Sequence, residues 1–209
     1  SRGLGDVYKR QGANRLGTNS LLDIVVFGRA AAYRAAATVE AGASHAPVSS
    51  ASTEKALDRL DRMRHAKGDS AAGEIRGAMQ HAMQRHAAVF RSSQSLTDGV
   101  EKMDSIAARM DDIRVNDASL IWNTDLVEAL ELENLMSQAL VTVRSAEQRE
   151  ESRGAHAHED YPDRDDKEWM KHTVMWLDEN NRSSLGYRPV HLNTLTNEVE
   201  TIPPVARVY

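Results

Sequence analysis

NTDLVEALELENLMSQALVTVRSAEQRE, residues 123–150, is the longest uninterrupted helical pattern in the chain. Leu132, Met136, Ala139 and Val143 fall on one stripe of a helix with 3.6 residues per turn. Such a stripe has to be covered, and the preceding text supplies the cover. STEKALDRLDRMRHA places apolar residues at 56, 57, 60 and 63. SAAGEIRGAMQHAMQRHAAVF places them at 75, 79, 82, 83 and 90. SLTDGVEKMDSIAARMDDI places them at 96, 100, 103, 106, 107, 110 and 113, with Ser95 and Asp98 at capping-box spacing. Four amphipathic helices with short connections predict a bundle over 53–152.

Composition agrees. The 209 residues suffice for one large or two small domains, and Ala, Glu, Arg and Met are plentiful beside only two Phe. A formal net charge of −5 argues against nucleic-acid binding. The chain has no cysteine, so it carries no disulfide or thiolate metal site. No apolar run approaches the roughly 20 residues that span a bilayer.

After Arg149 the text becomes charged and aperiodic, ESRGAHAHEDYPDRDDKEWM, which predicts a loop. KHTVMWLD and LGYRPV then predict short strands, and NEVETIPPVARVY ends in a rigid Pro-Pro turn. On the other side of the bundle, AGASHAPVSSAS predicts a linker. Residues 19–42 predict one helix capped by Asn19 or Ser20. Leu21, Leu22, Ile24, Val25, Val26 and Phe27 are apolar nearly all round its axis, so its start is expected to be buried on most faces.

GANRLGTNSLLDIVVFGRAAA, residues 12–32, sets an arginine and a glycine turn just before that helix. A helix N-terminus presents free N–H groups and a positive dipole end. Arg15 can grip a carboxylate with two parallel N–H bonds. The N–H groups of Ser20 and Leu21 would face a second electron-rich group. The same pattern also suits a salt-bridged surface arginine before a buried helix, and physics alone leaves both open.

Three stretches carry a resemblance. GANRLGTNSLLDIVVFGRAAA resembles the flavin-and-dicarboxylate loop of the succinate dehydrogenase and fumarate reductase flavoproteins. ESRGAHAHEDYPDRDDKEWMKHT resembles the second strong signature of that family. YRPVHLNTLTNEVETIPPVARVY is similar to the C-terminus of its succinate dehydrogenase members. The matches stand in family order and spacing across residues 12–209. The resemblance implies a mostly α, α+β chain: 12–43 as the last segment of an FAD domain, 53–152 as a helical domain and 153–209 as a small α+β domain.

It also implies oxidation of succinate to fumarate, with a hydride passing to FAD and electrons leaving through an iron–sulfur subunit and membrane anchor subunits to quinone. The place implied is the matrix side of the mitochondrial inner membrane, or the cytoplasmic face of a bacterial plasma membrane. Arg15 matches the arginine that binds a substrate carboxylate, and the N–H of Thr18 adds a substrate contact. Ser20 and Leu21 match the residues whose backbone holds FAD. The family's Gly-rich fingerprint, flavin-linked histidine and proton-shuttle arginine fall upstream of Gly12. The chain alone is therefore expected to be inactive, with no catalytic residue and no metal ligand of its own. Fumarate reductase and L-aspartate oxidase flavoproteins are the chemical alternatives, and a non-catalytic helical interaction module is the alternative of another class.

Two departures from the family pattern stand out. Gln11 replaces a usual histidine, and His158 replaces a usual arginine. Residues 1–11, SRGLGDVYKRQ, have no apolar period, resemble a translated adaptor and are expected to be non-native. His156, His158, Glu159 and Asp160 offer metal-ligand types, but are expected to form a solvated charged loop. His81 and His86, five apart, miss the i,i+4 zinc spacing and are expected on the bundle surface. Trp122, Trp169 and Trp176 are expected to be packing anchors, Met79 and Met83 core residues, and Asp111-Asp112 and Asp165-Asp166 solvated charges.

Overall fold

A computed structural model of the chain describes residues 19–178, 180–194, 198 and 200–205. Its longest helix is α5, defined with the others in chain order: α1 (Asn19–Thr38), α2 (Ser50–Arg64), α3 (Ala72–His86), α4 (Ser93–Ala107) and α5 (Thr124–Glu147). Short strands lie between and after them: β1 (Ser70–Ala71), β2 (Phe90–Arg91), β3 (Ile113–Arg114), β4 (Ala157–His158), β5 (Lys171–Leu177) and β6 (Ser183–Pro189). The chain is thus α+β and mostly helical.

Leu132, Met136, Ala139 and Val143 on α5 are all buried, as the stripe requires. Helices α3 and α4 pack on α5 and on each other, and α2 packs on α5. Met63, Ile75, Leu96, Met103, Leu132, Leu140 and Val143 form the inaccessible centre. Each such side chain contributes about 1.5–3 kcal/mol relative to an exposed one. Met79 is buried and Met83 half-buried against the same core.

Among the described residues, three two-stranded ladders brace the bundle. β1 pairs in parallel with β3, and β2 in parallel with β4 (Phe90 opposite Ala157, Arg91 opposite His158). β5 and β6, the two strands legible in the sequence, form an antiparallel hairpin from Lys171–Pro189 to Leu177–Ser183. At its turn the Asp178 carboxylate accepts from the N–H groups of Asn180 and Arg182. Arg144 of α5 ties the hairpin to the bundle, donating to the Asn181 carbonyl and to Asp104 on α4, both at 2.6 Å.

Several expectations change. The cap of α4 is Ser92, whose hydroxyl accepts from the Ser95 N–H at 3.2 Å, while the Ser95 hydroxyl turns to the His86 carbonyl. The predicted capping box is therefore displaced, because the helix starts earlier and the Ser95 side chain is already used. Phe90 leaves the helical pattern and stands exposed in β2, since α3 ends at His86. His86 is half-buried rather than a surface residue, its Nδ1 lying 3.1 Å from the Ser95 carbonyl. Trp122 is 95% exposed instead of anchoring the core. Its φ of +50° follows from the Asn123 cap. That side chain accepts from the Leu126 N–H and donates to the Asp117 and Ser119 carbonyls, turning the chain just before α5. Trp176 is also exposed, and Trp169 is half-buried.

Helix α1 forms, but it ends at Thr38 and its apolar residues are not covered: Leu21, Leu22, Ile24, Val25, Val26 and Phe27 are all at least 50% exposed. A helix apolar all round needs a body around it, and the bundle closes its own core without offering one. No helix among the described residues is long and apolar enough to cross a membrane.

The glycines of the bundle give a test. A Cβ on Gly99 of α4 would meet the His86 Cβ at 2.7 Å and a Val143 methyl at 3.3 Å, whereas Gly73 and Gly77 of α3 face open space. Gly99→Ala is expected to destabilise the chain by about 1–3 kcal/mol through overpacking. Gly73→Ala and Gly77→Ala should raise stability by about 0.5–1 kcal/mol through helix propensity. Urea midpoints of the three variants check this, and a stabilised Gly99→Ala would refute the close approach.

Candidate functional site

Two regions hold the residues singled out in the sequence. The first is the start of α1. Helix α1 is described from Asn19, and Ser20 and Leu21 lie in its first described turn, which contains no acidic side chain. The positive dipole end there is not neutralised from within the turn. Leu21 is exposed. Arg15 and Thr18 lie outside the described residues, as do Gln11 and the whole 1–11 segment.

The second region is the loop that follows α5, and it is not the solvated loop the sequence suggested. Glu151 is fully buried at its centre. Arg149 donates to Glu151 Oε1 from Nε at 2.9 Å and Nη2 at 2.6 Å. Arg153 embraces both carboxylate oxygens, Nε to Oε1 at 2.8 Å and Nη2 to Oε2 at 3.0 Å. The Asp165 N–H completes the shell at 2.9 Å from Oε2. Burial pushes the Glu151 carboxyl up, but the bonds from Arg153, the Asp165 N–H and Arg149 outweigh it and hold the group below its ordinary range.

From this centre the network spreads. Arg149 also donates to the Lys171 and Trp169 carbonyls and the Thr173 hydroxyl, joining the end of α5 to β5. Arg153 reaches Asp166 at 2.7 Å, and Asp166 is shared with Arg164. Asp165 accepts from the N–H groups of Lys167 and Glu168. Asp112 likewise accepts from the Asp69 N–H and the Ser70 hydroxyl. Three of the four paired aspartate carboxylates are therefore engaged rather than merely solvated: Asp112, Asp165 and Asp166.

His156 and His158 are held, not free. His158 is only 2% exposed, packs edge-on against Tyr161 and His156, and leaves its Nδ1 without a hydrogen-bond partner. His156 lies between Arg91 and the Arg149 carbonyl. Among the described residues no group of three His, Cys, Asp or Glu side chains could hold a metal.

Beside the network opens a cleft of about 450 Å³ lined by Arg149, Arg153, His156, Trp169, Lys171 and His172 among others. The Lys171 ammonium stands 4.1 Å from the centre of the Tyr187 ring and 4.8 Å from that of Trp169, a cation–π arrangement. Trp169 thus packs as an anchor of its surroundings. The Arg149 fork is consumed by internal bonds that tie the loop to β5.

Sequence reasoning missed Glu151 and Arg149. The available signal was the alternation Arg149, Glu151, Arg153, which puts all three on one side of an extended chain.

Comparison with known proteins decides the kinship. Residues 76–209 match the family model described as the C-terminal region of the fumarate reductase flavoprotein. The chain belongs to the succinate dehydrogenase and fumarate reductase flavoprotein family. The succinate dehydrogenase flavoprotein subunit of Rickettsia bellii is 56% identical over 198 residues, covering 95% of this chain and 33% of that protein. The mitochondrial succinate dehydrogenase [ubiquinone] flavoprotein subunit of Oryza sativa is 51% identical, covering 95% of this chain and 31% of that protein. An E. coli quinol fumarate reductase structure superposes with a TM-score of 0.79 at 33% identity, covering 94% of this chain and 33% of that one. The chain therefore spans about a third of the length of the relatives it matches.

The Glu151 centre yields a second test. Glu151→Gln leaves the Arg149 guanidinium without an anion and Arg153 with Asp166 alone, and should cost about 3–5 kcal/mol. A carboxyl held below its ordinary value stabilises the fold above about pH 4.3, and that contribution is lost as pH falls through the folded value. Denaturation midpoints should therefore drop on acidification in the parent chain, with a shallower slope in Glu151→Gln. Equal slopes in the two would place the acid sensitivity elsewhere.

Proposed function

We propose that the chain forms the C-terminal part of a flavoprotein subunit that oxidises succinate to fumarate and passes the electrons to an iron–sulfur subunit and, through membrane anchors, to quinone. The observation that carries this reading is the 56% and 51% identity, over 95% of this chain, to succinate dehydrogenase flavoprotein subunits. Within it, Ser20 and Leu21, the pair that resembles the family's FAD-holding residues, lie in the first described turn of α1, and N–H groups at a helix N-terminus suit an electron-rich edge.

That helix end fits FAD: it is free of acidic side chains and flanked by the exposed apolar Leu21 and Leu22. When bound, FAD supplies the hydride acceptor. The chain's own part is positioning. The Arg15 guanidinium holds one substrate carboxylate in a two-bond fork, and the Thr18 N–H adds a donor. Ser20 and Leu21 place backbone N–H groups against the flavin edge that gains negative charge on reduction. The uncovered apolar faces of α1 belong, on this reading, inside the FAD domain of the whole protein. Residues 12–43 then close that domain, 53–152 make the helical domain and 153–209 the small end domain. The site of action is the matrix face of the mitochondrial inner membrane or the cytoplasmic face of a bacterial membrane. Oxidation is favoured over fumarate reduction by the 56% and 51% identities to succinate dehydrogenase subunits, against 33% to the E. coli fumarate reductase.

The experiment is Arg15→Lys in the whole flavoprotein. An ammonium cannot reproduce the planar fork. Losing one charge-assisted bond costs about 1.5–3 kcal/mol, and misplacing the reacting carbon by around 1 Å costs about another hundredfold. Succinate-dependent dye reduction should collapse in kcat/KM while FAD absorbance on the same preparation stays normal. Near-normal turnover removes the substrate role, and joint loss of flavin and turnover makes Arg15 structural. Among its described residues the chain alone offers one helix end and no pyrophosphate cradle. It should show no tight FAD binding by fluorescence titration and no activity.

A further inference from the structure

We propose that His156 is a proton-sensitive latch: its neutral imidazole pins the turn 153–160 to the connection between α3 and α4, and protonation releases that turn.

The argument rests on hydrogen-bond polarity. His156 Nδ1 lies 2.7 Å from Arg91 Nη1, and a guanidinium can only donate. Nδ1 therefore carries no proton. His156 Nε2 lies 2.9 Å from the Arg149 carbonyl, which can only accept, so Nε2 carries the proton. Both ring nitrogens are satisfied in a single state, the neutral Nε2–H tautomer. A second proton would have to enter at Nδ1, directly against a cation that does not titrate.

Arg91 cannot retreat from that conflict. Its Nε donates to the Ala88 carbonyl at 2.9 Å and its Nη2 to the Ala87 carbonyl at 3.1 Å, where α3 ends. No carboxylate lies within ion-pair distance of it among the described residues. The helix C-terminus supplies its negative counterpart instead.

The other charged groups around His156 do not supply a compensating anion. On its own loop these are Arg149 and Arg153, with Glu151 divided between them, and the buried ring of His158 at 5.7 Å. Glu159 is exposed. Asp160 is committed to the Ser93 N–H at the start of α4, at 2.7 Å. From the hairpin, Lys171 and His172 line the same cleft. Burial holds the His156 imidazole below its ordinary range. The bond to the Arg149 carbonyl opposes this, and the charges of Arg91, His158 and Arg149 add to it.

The latch sits where it can govern a defined unit. Arg91 and its neighbour Phe90 form β2, which pairs with Ala157 and His158 of β4. The Arg91 carbonyl also accepts from the Glu159 N–H at 2.7 Å. The imidazole and the ladder therefore hold the same turn, which carries the middle of the second family signature.

The sign follows from the lowered imidazole. The latched state binds fewer protons than the released one, so it is favoured above about pH 6.5, and release grows as pH falls through the folded value.

The test is hydrogen exchange with mass spectrometry on the whole flavoprotein between about pH 7.5 and about pH 5.5, corrected for the intrinsic chemical rate. Protection of the peptide around 153–161 should fall by up to about tenfold per pH unit, while α4 and α5 hold theirs. His156→Gln keeps an acceptor for Arg91 and a donor for the Arg149 carbonyl but cannot titrate, so its profile should be flat. Arg91→Gln removes the repelling cation and should make the fall shallower. A flat profile in the parent protein overturns the latch. So does a fall that persists with full slope in either variant, which would assign it to His158, Glu151 or Asp160.

Discussion

The carboxylate of Glu151 is the point on which the C-terminal third of the chain depends. A buried charge is tolerated only where charge and hydrogen bonds replace water. Two guanidinium forks and one backbone N–H do so here. Because Arg149 follows directly on α5 and also bonds Trp169, Lys171 and Thr173, that one requirement fixes how the loop, the first strand of the hairpin and the longest helix meet. The aromatic pair that flanks Lys171 and the seat of His156 are consequences of the same geometry.

The bundle and the loop are self-sufficient in a way that α1 is not. The bundle closes an apolar core, and the loop closes a polar one. Helix α1 forms from its own propensity and shows apolar residues to solvent all round. A chain that spans a third of its relatives, and whose first described helix has no cover, distributes its function unevenly: structural support in the bundle and loop, and the proposed chemistry at one helix end. Arg15, by which that chemistry would be recognised, precedes the described helix, so the support for its role is the resemblance carried by residues 12–32.

The bundle was legible because it is built from a repeated local signal. Apolar residues at helical spacing on four segments need one another, and nothing else in the chain could satisfy them; the hairpin strands were legible for the same reason. Turns and caps were less so: Ser92 rather than Ser95 caps α4, because either serine could accept and only the start of the helix decides which does. Trp122 was misjudged because a large apolar side chain usually packs, whereas here the cap made by Asn123 turns it outward.

The sequence by itself determined the helical class, the two terminal strands and the family, since periodicity and motif order are properties of the chain read along its length. Tertiary structure alone decided which charges are buried. Only the flanking alternation Arg149, Glu151, Arg153 hints at what separates Glu151, fully inaccessible, from Glu159, exposed to solvent. The difference is that two arginines and a distant N–H converge on one carboxylate and not on the other, and convergence in space of residues 149, 153 and 165 is set by packing rather than by spacing.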